Sequence, residues 1–149
     1  MKLSSTSFEN NDQIPKKFGY KNENLSPPLT ISDVPNQTKS LVLIMDDPDA
    51  LDAVGKVWVH WVLWNISAET KNFPENNIPP NSVEGKNDFG EVGYGGPAPP
   101  DKEHLYIFKL YAINKVLDEP RGSTKSEIEN SIKSSIIAEA RLTGRFSPQ

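Results

Sequence analysis

The stretch Val57-Trp58-Val59-His60-Trp61-Val62-Leu63-Trp64-Asn65-Ile66 decides the fold. It is dense in β-branched and aromatic residues, which favour a pleated, packed surface. Apolar residues occupy both alternating positions, so it reads as a central strand covered on both faces. With period two, Trp58, His60, Val62 and Trp64 share one face.

Two further strands flank it in sequence. Ser40 to Met45 is a continuous apolar run closed by Asp46-Asp47-Pro48, as a buried strand would be. His104 to Ile113 is the third, with His104, Tyr106 and Phe108 on one face. Between them, Phe73 to Lys102 is rich in Pro, Gly and Asn. A long irregular stretch inside a domain usually carries function or hides short elements, and a short strand is expected near Ser82-Val83. At the C-terminal end, Thr124-Lys125-Ser126-Glu127 fits a capping box. Ile128, Ile132, Ile136 and Ala140 then recur every four residues, predicting one apolar stripe of a helix with Gly144 as its C-terminal cap.

The 149 residues suit one domain. Thirteen prolines and nine glycines point to a loop-rich, mainly β protein. Cysteine is absent from the sequence, so disulfides, cysteine-held metals and a cysteine nucleophile are excluded. Sixteen basic residues against 20 acidic ones give a formal charge of −4, and the basic residues are scattered. That argues against a nucleic-acid partner or an anionic membrane surface. No run approaches the ~20 apolar residues of a membrane span, so stable membrane insertion is not expected. The first residues carry Glu9, Asn10, Asn11 and Asp12 where a signal peptide needs an apolar run, so a cytoplasmic location is expected.

Three features carry chemistry. Asp47-Pro48-Asp49 holds two carboxylates on a turn stiffened by proline, at the end of a strand. His60 lies in a strand too apolar to leave an imidazole without a partner. Gly93-Tyr94-Gly95-Gly96-Pro97-Ala98-Pro99-Pro100 leads into His104-Leu105-Tyr106, and its glycines let backbone N–H groups approach an anion. Each feature alone also fits an ordinary turn or a satisfied core histidine. His60 and His104 are the only two histidines in the sequence, and each lies beside one of these segments.

Together these segments resemble the phosphatidylethanolamine-binding proteins, the family that includes Raf kinase inhibitor proteins, in its small prokaryotic form. Asn24-Leu25-Ser26-Pro27-Pro28-Leu29 resembles the N-terminal segment of that branch. Asp47-Pro48-Asp49-Ala50 matches the first family signature, and Trp58-x-His60 the histidine segment. Gly95-Gly96-Pro97 with His104-x-Tyr106 matches the second signature, and Ala138 to Phe146 resembles the prokaryotic ending. Leu51 stands where the family commonly has proline, and Ala98 replaces the second proline of animal members. The chain stops soon after Phe146, so the C-terminal helix that closes the animal pocket is not expected and the mouth should be more open.

The resemblance implies a single domain over residues 1–149 with a mainly β, two-sheet antiparallel sandwich, Greek-key connections and a few short helices. It implies a non-enzymatic binding protein for phosphate, carboxylate or a phospholipid head group. Asp47, Asp49, Trp58, His60, His104 and Tyr106 should converge with the backbone of Gly95, Gly96 and Pro97. A carboxylate would orient and charge an imidazole whose other nitrogen meets the anion. No cofactor or metal is expected. The alternative is an inhibitor of a serine protease or a kinase acting through surface loops such as Phe73 to Asn81. Prokaryotic members often form homodimers, and the apolar surplus of the Trp-rich strand is compatible with one.

Overall fold

The computed structural model describes residues 1–149. The expected three strands form: β4 (Ser40–Asp47), β5 (Trp58–Ile66) and β8 (His104–Ile113). They lie in a six-stranded sheet of order β2-β9-β8-β4-β5-β7. Its other members are β2 (Asp12–Gln13), β7 (Val83–Glu84) and β9 (Ile136–Phe146). A three-stranded sheet, β1-β3-β6, combines Lys2–Ser4, Leu29–Ser32 and Asn72–Phe73. In the large sheet β4, β5 and β7 follow one another, and β8 returns to pair with β4 on its far side. That is Greek-key order. Every pairing is antiparallel except the two-residue contact of β2 with β9.

All eight residues of β4 are buried, as the continuous apolar run requires. Alternate residues feed two cores. Leu41, Leu43 and Met45 enter a cluster of 19 buried residues that also contains Leu29, Ile31 and Phe73 of the small sheet. Val42 and Ile44 enter a second cluster of 10, covered by Ile128 and Ile132 of helix α2 (Lys125–Ile132). Asp46 follows the second face and is 1% exposed. Lys125 and Lys109 bring ammonium groups to its carboxylate at 2.7 and 3.2 Å, so a buried charge is paired where the helix meets the sheet.

The predicted shared face of Trp58, His60, Val62 and Trp64 does not form. Met45 pairs with Trp61 and Asp46 with Val59, which leaves His60 as the extra residue of a β-bulge. The bulge shifts the alternation: Trp61 and Leu63 join the first core, while Val59, Val62 and Trp64 join the second. Bulges commonly re-aim a side chain beside a site. Val59 and Trp61 to Trp64 are consumed by these cores, while Trp58 stays partly exposed.

The long C-terminal helix is also corrected. The capping box forms, with Thr124 Oγ1 accepting from the Glu127 N–H and Glu127 Oε1 accepting from the Thr124 N–H. The helix nevertheless ends at Ile132. Ile136 and Ala140 lie instead on β9, which pairs with β8 from His104↔Phe146 to Ile113↔Ile136. A full ladder against a ten-residue neighbour outweighs a weak helical periodicity. Gly144 is therefore no helix cap. A Cβ there would stand 2.5 Å from Ile14, so the glycine allows the N-terminal segment to approach β9.

Candidate functional site

The cavity opens at one end of the large sheet, on the face of the first core. There the end of β4 meets the starts of β5 and β8. It has a volume of about 200 Å³. Asp47, Trp58, His60, His104 and Tyr106 line it. Five of the nine expected site residues therefore converge. Helix α1 (Ala50–Val54) contributes Ala50 and Val54, and the long loop contributes Phe89, Ala98 and Pro100.

The other four lie behind or beside the cavity. Asp49 occupies the N-cap position of α1, and its Oδ2 accepts from the Leu105 N–H at 2.8 Å, tying the helix to β8. Gly95 faces the back of His60: its N–H donates to the His60 carbonyl at 2.9 Å, and its own carbonyl accepts from His60 Nδ1 at 2.6 Å. The Gly96 N–H donates to Asn24 Oδ1 at 2.8 Å. A Cβ on Gly96 would stand 2.0 Å from the Phe18 carbonyl, so this glycine is required for backbone packing. The Pro97 carbonyl accepts from the Tyr20 N–H. The glycine N–H groups are thus spent within the protein and do not offer the anion donors expected of them.

The two imidazoles are set differently. His60 is 2% exposed, and its Nδ1–H is committed to Gly95, which leaves Nε2 for a ligand. Burial pushes its pKa down to about 4, against the pull of the Gly95 carbonyl. The ring packs edge-on against Tyr106 at 5.1 Å and Phe89 at 5.6 Å. His104 is 1% exposed and lies between two carboxylates. Its Nδ1 is 2.7 Å from Asp47 Oδ2, and its Nε2 is 2.7 Å from Asp101 Oδ1. Burial works to lower the His104 pKa, but the two carboxylates outweigh it and hold the pKa above the usual 6.5. When the ring takes up its second proton, each nitrogen donates to one of these carboxylates.

Asp47 is fixed from both ends, since its Oδ1 also accepts from the Ala50 N–H. Its burial raises its own carboxyl pKa despite His104. Burial, and then the charge of Asp47, pushes the Tyr106 phenol up, so it stays a neutral hydroxyl. That hydroxyl lies towards Asp47 and the Ala98 backbone without completing a well-formed hydrogen bond to either, and the indole N–H of Trp58 is buried without a partner. Buried donors without partners are uncommon and mark places where a ligand can be held. No group of three or more His, Cys, Asp or Glu side chains is arranged to hold a metal ion.

Sequence reasoning missed Asp101, Phe89 and the α1 residues. Asp101 could have been suspected, because it lies three residues before His104. Helix α1 was also signalled, by Asp49 before it and by Gly55, whose φ of 82° ends it in the left-handed region. Phe89 carried no signal: it lies in an irregular loop and reaches the cavity only through the fold, stacked on Tyr20 at 3.8 Å.

Known proteins share this sequence pattern and fold. The family model described as phosphatidylethanolamine-binding protein matches residues 4–147. A UPF0098 protein of Methanothermobacter thermautotrophicus is 40% identical over 151 residues, covering 98% of each chain. A phosphatidylethanolamine-binding protein homolog from Chlamydia trachomatis superposes with a TM-score of 0.92 at 39% identity, covering 99% of this chain and 97% of the other. Escherichia coli YbcL, described as a new member of the mammalian family, gives the same TM-score at 30% identity, covering 99% and 98%. With nearly all of its length matched in both sequence and fold, the chain belongs to the phosphatidylethanolamine-binding protein family.

Proposed function

We propose that the cavity binds a small anionic group, such as a phosphate, a carboxylate or a phospholipid head group, and that the protein acts by binding rather than by catalysis. One observation carries this reading. Asp47 on Nδ1 favours the protonated form of His104, and the other ring nitrogen lies 2.7 Å from an anionic oxygen, that of Asp101. The unpartnered Tyr106 hydroxyl and Trp58 N–H supply two neutral donors in the same neighbourhood. Aromatic and aliphatic walls lower the local dielectric, which strengthens each of these bonds.

The test is titration calorimetry with a soluble phosphoester from pH 8 to pH 6. Binding should tighten as His104 takes up its proton, while His60, neutral down to about pH 4, adds nothing over this range. His104→Ala should abolish the binding. Affinity that stays flat across the range defeats the imidazolium as the anion's partner. The rival role as a protease or kinase inhibitor is separated by the same variant: inhibition that survives His104→Ala acts through a surface outside the cavity.

A further inference from the structure

We propose that Asp101 is a specificity-determining residue: a tethered carboxylate that occupies the anion position on His104 and excludes simple monoanions in favour of tetrahedral dianions such as phosphate monoesters and sulfate. The inference rests on the anion-binding reading of the cavity and goes further, because it names which anions can enter.

Asp101 lies on the turn that follows Pro99 and Pro100, three residues before His104. Its carboxylate meets His104 Nε2 at 2.7 Å. The Asp101 side chain is 43% exposed, whereas that of His104 is wholly buried. The carboxylate therefore reaches in from solvent to a buried donor. Asp101 itself is outside the cavity wall, but its neighbour Pro100 is part of it. Rotation of one exposed side chain would free Nε2 without moving a strand.

The chemistry of exchange then selects the ligand. A carboxylate attached three residues away competes as an intramolecular partner, present at an effective concentration of about millimolar or above. A free monocarboxylate offers His104 the same bond and the same charge as Asp101, and it also loses translational freedom on binding. It gains nothing by exchange. A tetrahedral dianion brings a second negative charge to the imidazolium. It also brings further oxygens that can accept from the Tyr106 hydroxyl and the Trp58 N–H, both buried and without partners. Asp47 is on the opposite nitrogen, so the ligand meets the imidazolium at closer range than it meets that carboxylate.

The experiment compares formate and sulfate as probes at pH 6 and fixed ionic strength, following the His104 ring nitrogens by NMR in the natural protein, Asp101→Asn and Asp101→Ala. Sulfate should bind the natural protein and formate should bind it far more weakly. Formate binding should strengthen by about tenfold or more in Asp101→Ala, with the gap between the two anions narrowing. Asp101→Asn, which keeps a weaker neutral acceptor, should fall between. If sulfate shifts His104 in the natural protein but neither variant changes either affinity, Asp101 is no competitor, and the anion reading survives without it. If sulfate leaves His104 unmoved in all three proteins, both fall. Soluble glycerol 3-phosphate against vesicles carrying phosphatidic acid tells a free monoester from a lipid head group. Stronger binding of either one to Asp101→Ala supports the exchange, and no change in either counts against it.

Discussion

His60 and His104 line the same cavity and expose almost no surface, yet the fold gives them opposite charge behaviour. His60 meets a carbonyl and aromatic rings, so burial dominates and its pKa falls to about 4. His104 meets two carboxylates, which overcome the effect of its burial and raise its pKa. The difference teaches that the partner, weighed against the depth of burial, decides which imidazole can carry charge. The local backbone chooses the partner. A bulge in β5 aims His60 at Gly95, while regular pairing of β8 with β4 brings His104 to Asp47 at the strand end.

The largest expected effect comes from removing the partner that sets His104 apart. Asp47→Ala leaves the Nδ1–H of a buried ring and the Ala50 N–H without their acceptor. Breaking a buried charged pair from one side should cost about 3 kcal/mol in urea unfolding. The His104 pKa should fall towards that of His60. A His104 pKa that stays above 6.5 in this variant would mean that Asp101 alone sustains the charge, and the contrast between the rings would have to be redrawn.

The next effect is in pH dependence, where the two rings have opposite signs. The folded pKa of His60, about 4, is below its unfolded value near 6.5. Between those values the unfolded chain binds the proton that the folded one refuses. The stability His60 contributes is therefore complete above pH 6.5 and is lost as pH falls towards 4, by about 3 kcal/mol in total. His104 runs the other way. Its contribution is complete below pH 6.5 and is lost as pH rises through its raised pKa. Urea unfolding across pH 4 to 8 reads both limbs. His60→Asn should flatten the acid limb and leave the alkaline one in place.

Much of this was legible in the residues, for a physical reason. Strands β4, β5 and β8 are so apolar that only a sheet interior satisfies them, and the short strand expected near Ser82-Val83 appears as Val83–Glu84. Asp47, Trp58, His60, His104 and Tyr106 were identifiable because their neighbours are signature residues at fixed steps. What failed depended on tertiary pairing. The stripe through Ile128, Ile132, Ile136 and Ala140 obeys a helical period, but β8 had an open edge and took the second half as a strand. The face shared by Trp58 and His60 does not continue to Val62 and Trp64, because a bulge adds one residue without any local mark. The Gly95 and Gly96 N–H groups were expected to face a ligand, but the His60 carbonyl and Asn24 reach them first.

The smallest effect tests the wall that keeps His60 dry. Phe89 touches Trp58 and His60 edge-on and stacks on Tyr20 from the outside. Phe89→Ala removes a half-buried ring, so its cost should be below that of a core phenylalanine, about 2 kcal/mol. Its consequence for charge should be selective. Burial is the leading cause of the depressed His60 pKa, so water admitted through the gap should raise that pKa from about 4 towards 6.5. His104 should barely respond, because its two carboxylates are untouched. NMR titration of both rings in the one variant reads the comparison directly. A His60 pKa that does not move would assign its neutrality to the Gly95 pairing instead of the apolar wall, and parallel shifts of the two rings would show that they titrate as one coupled unit.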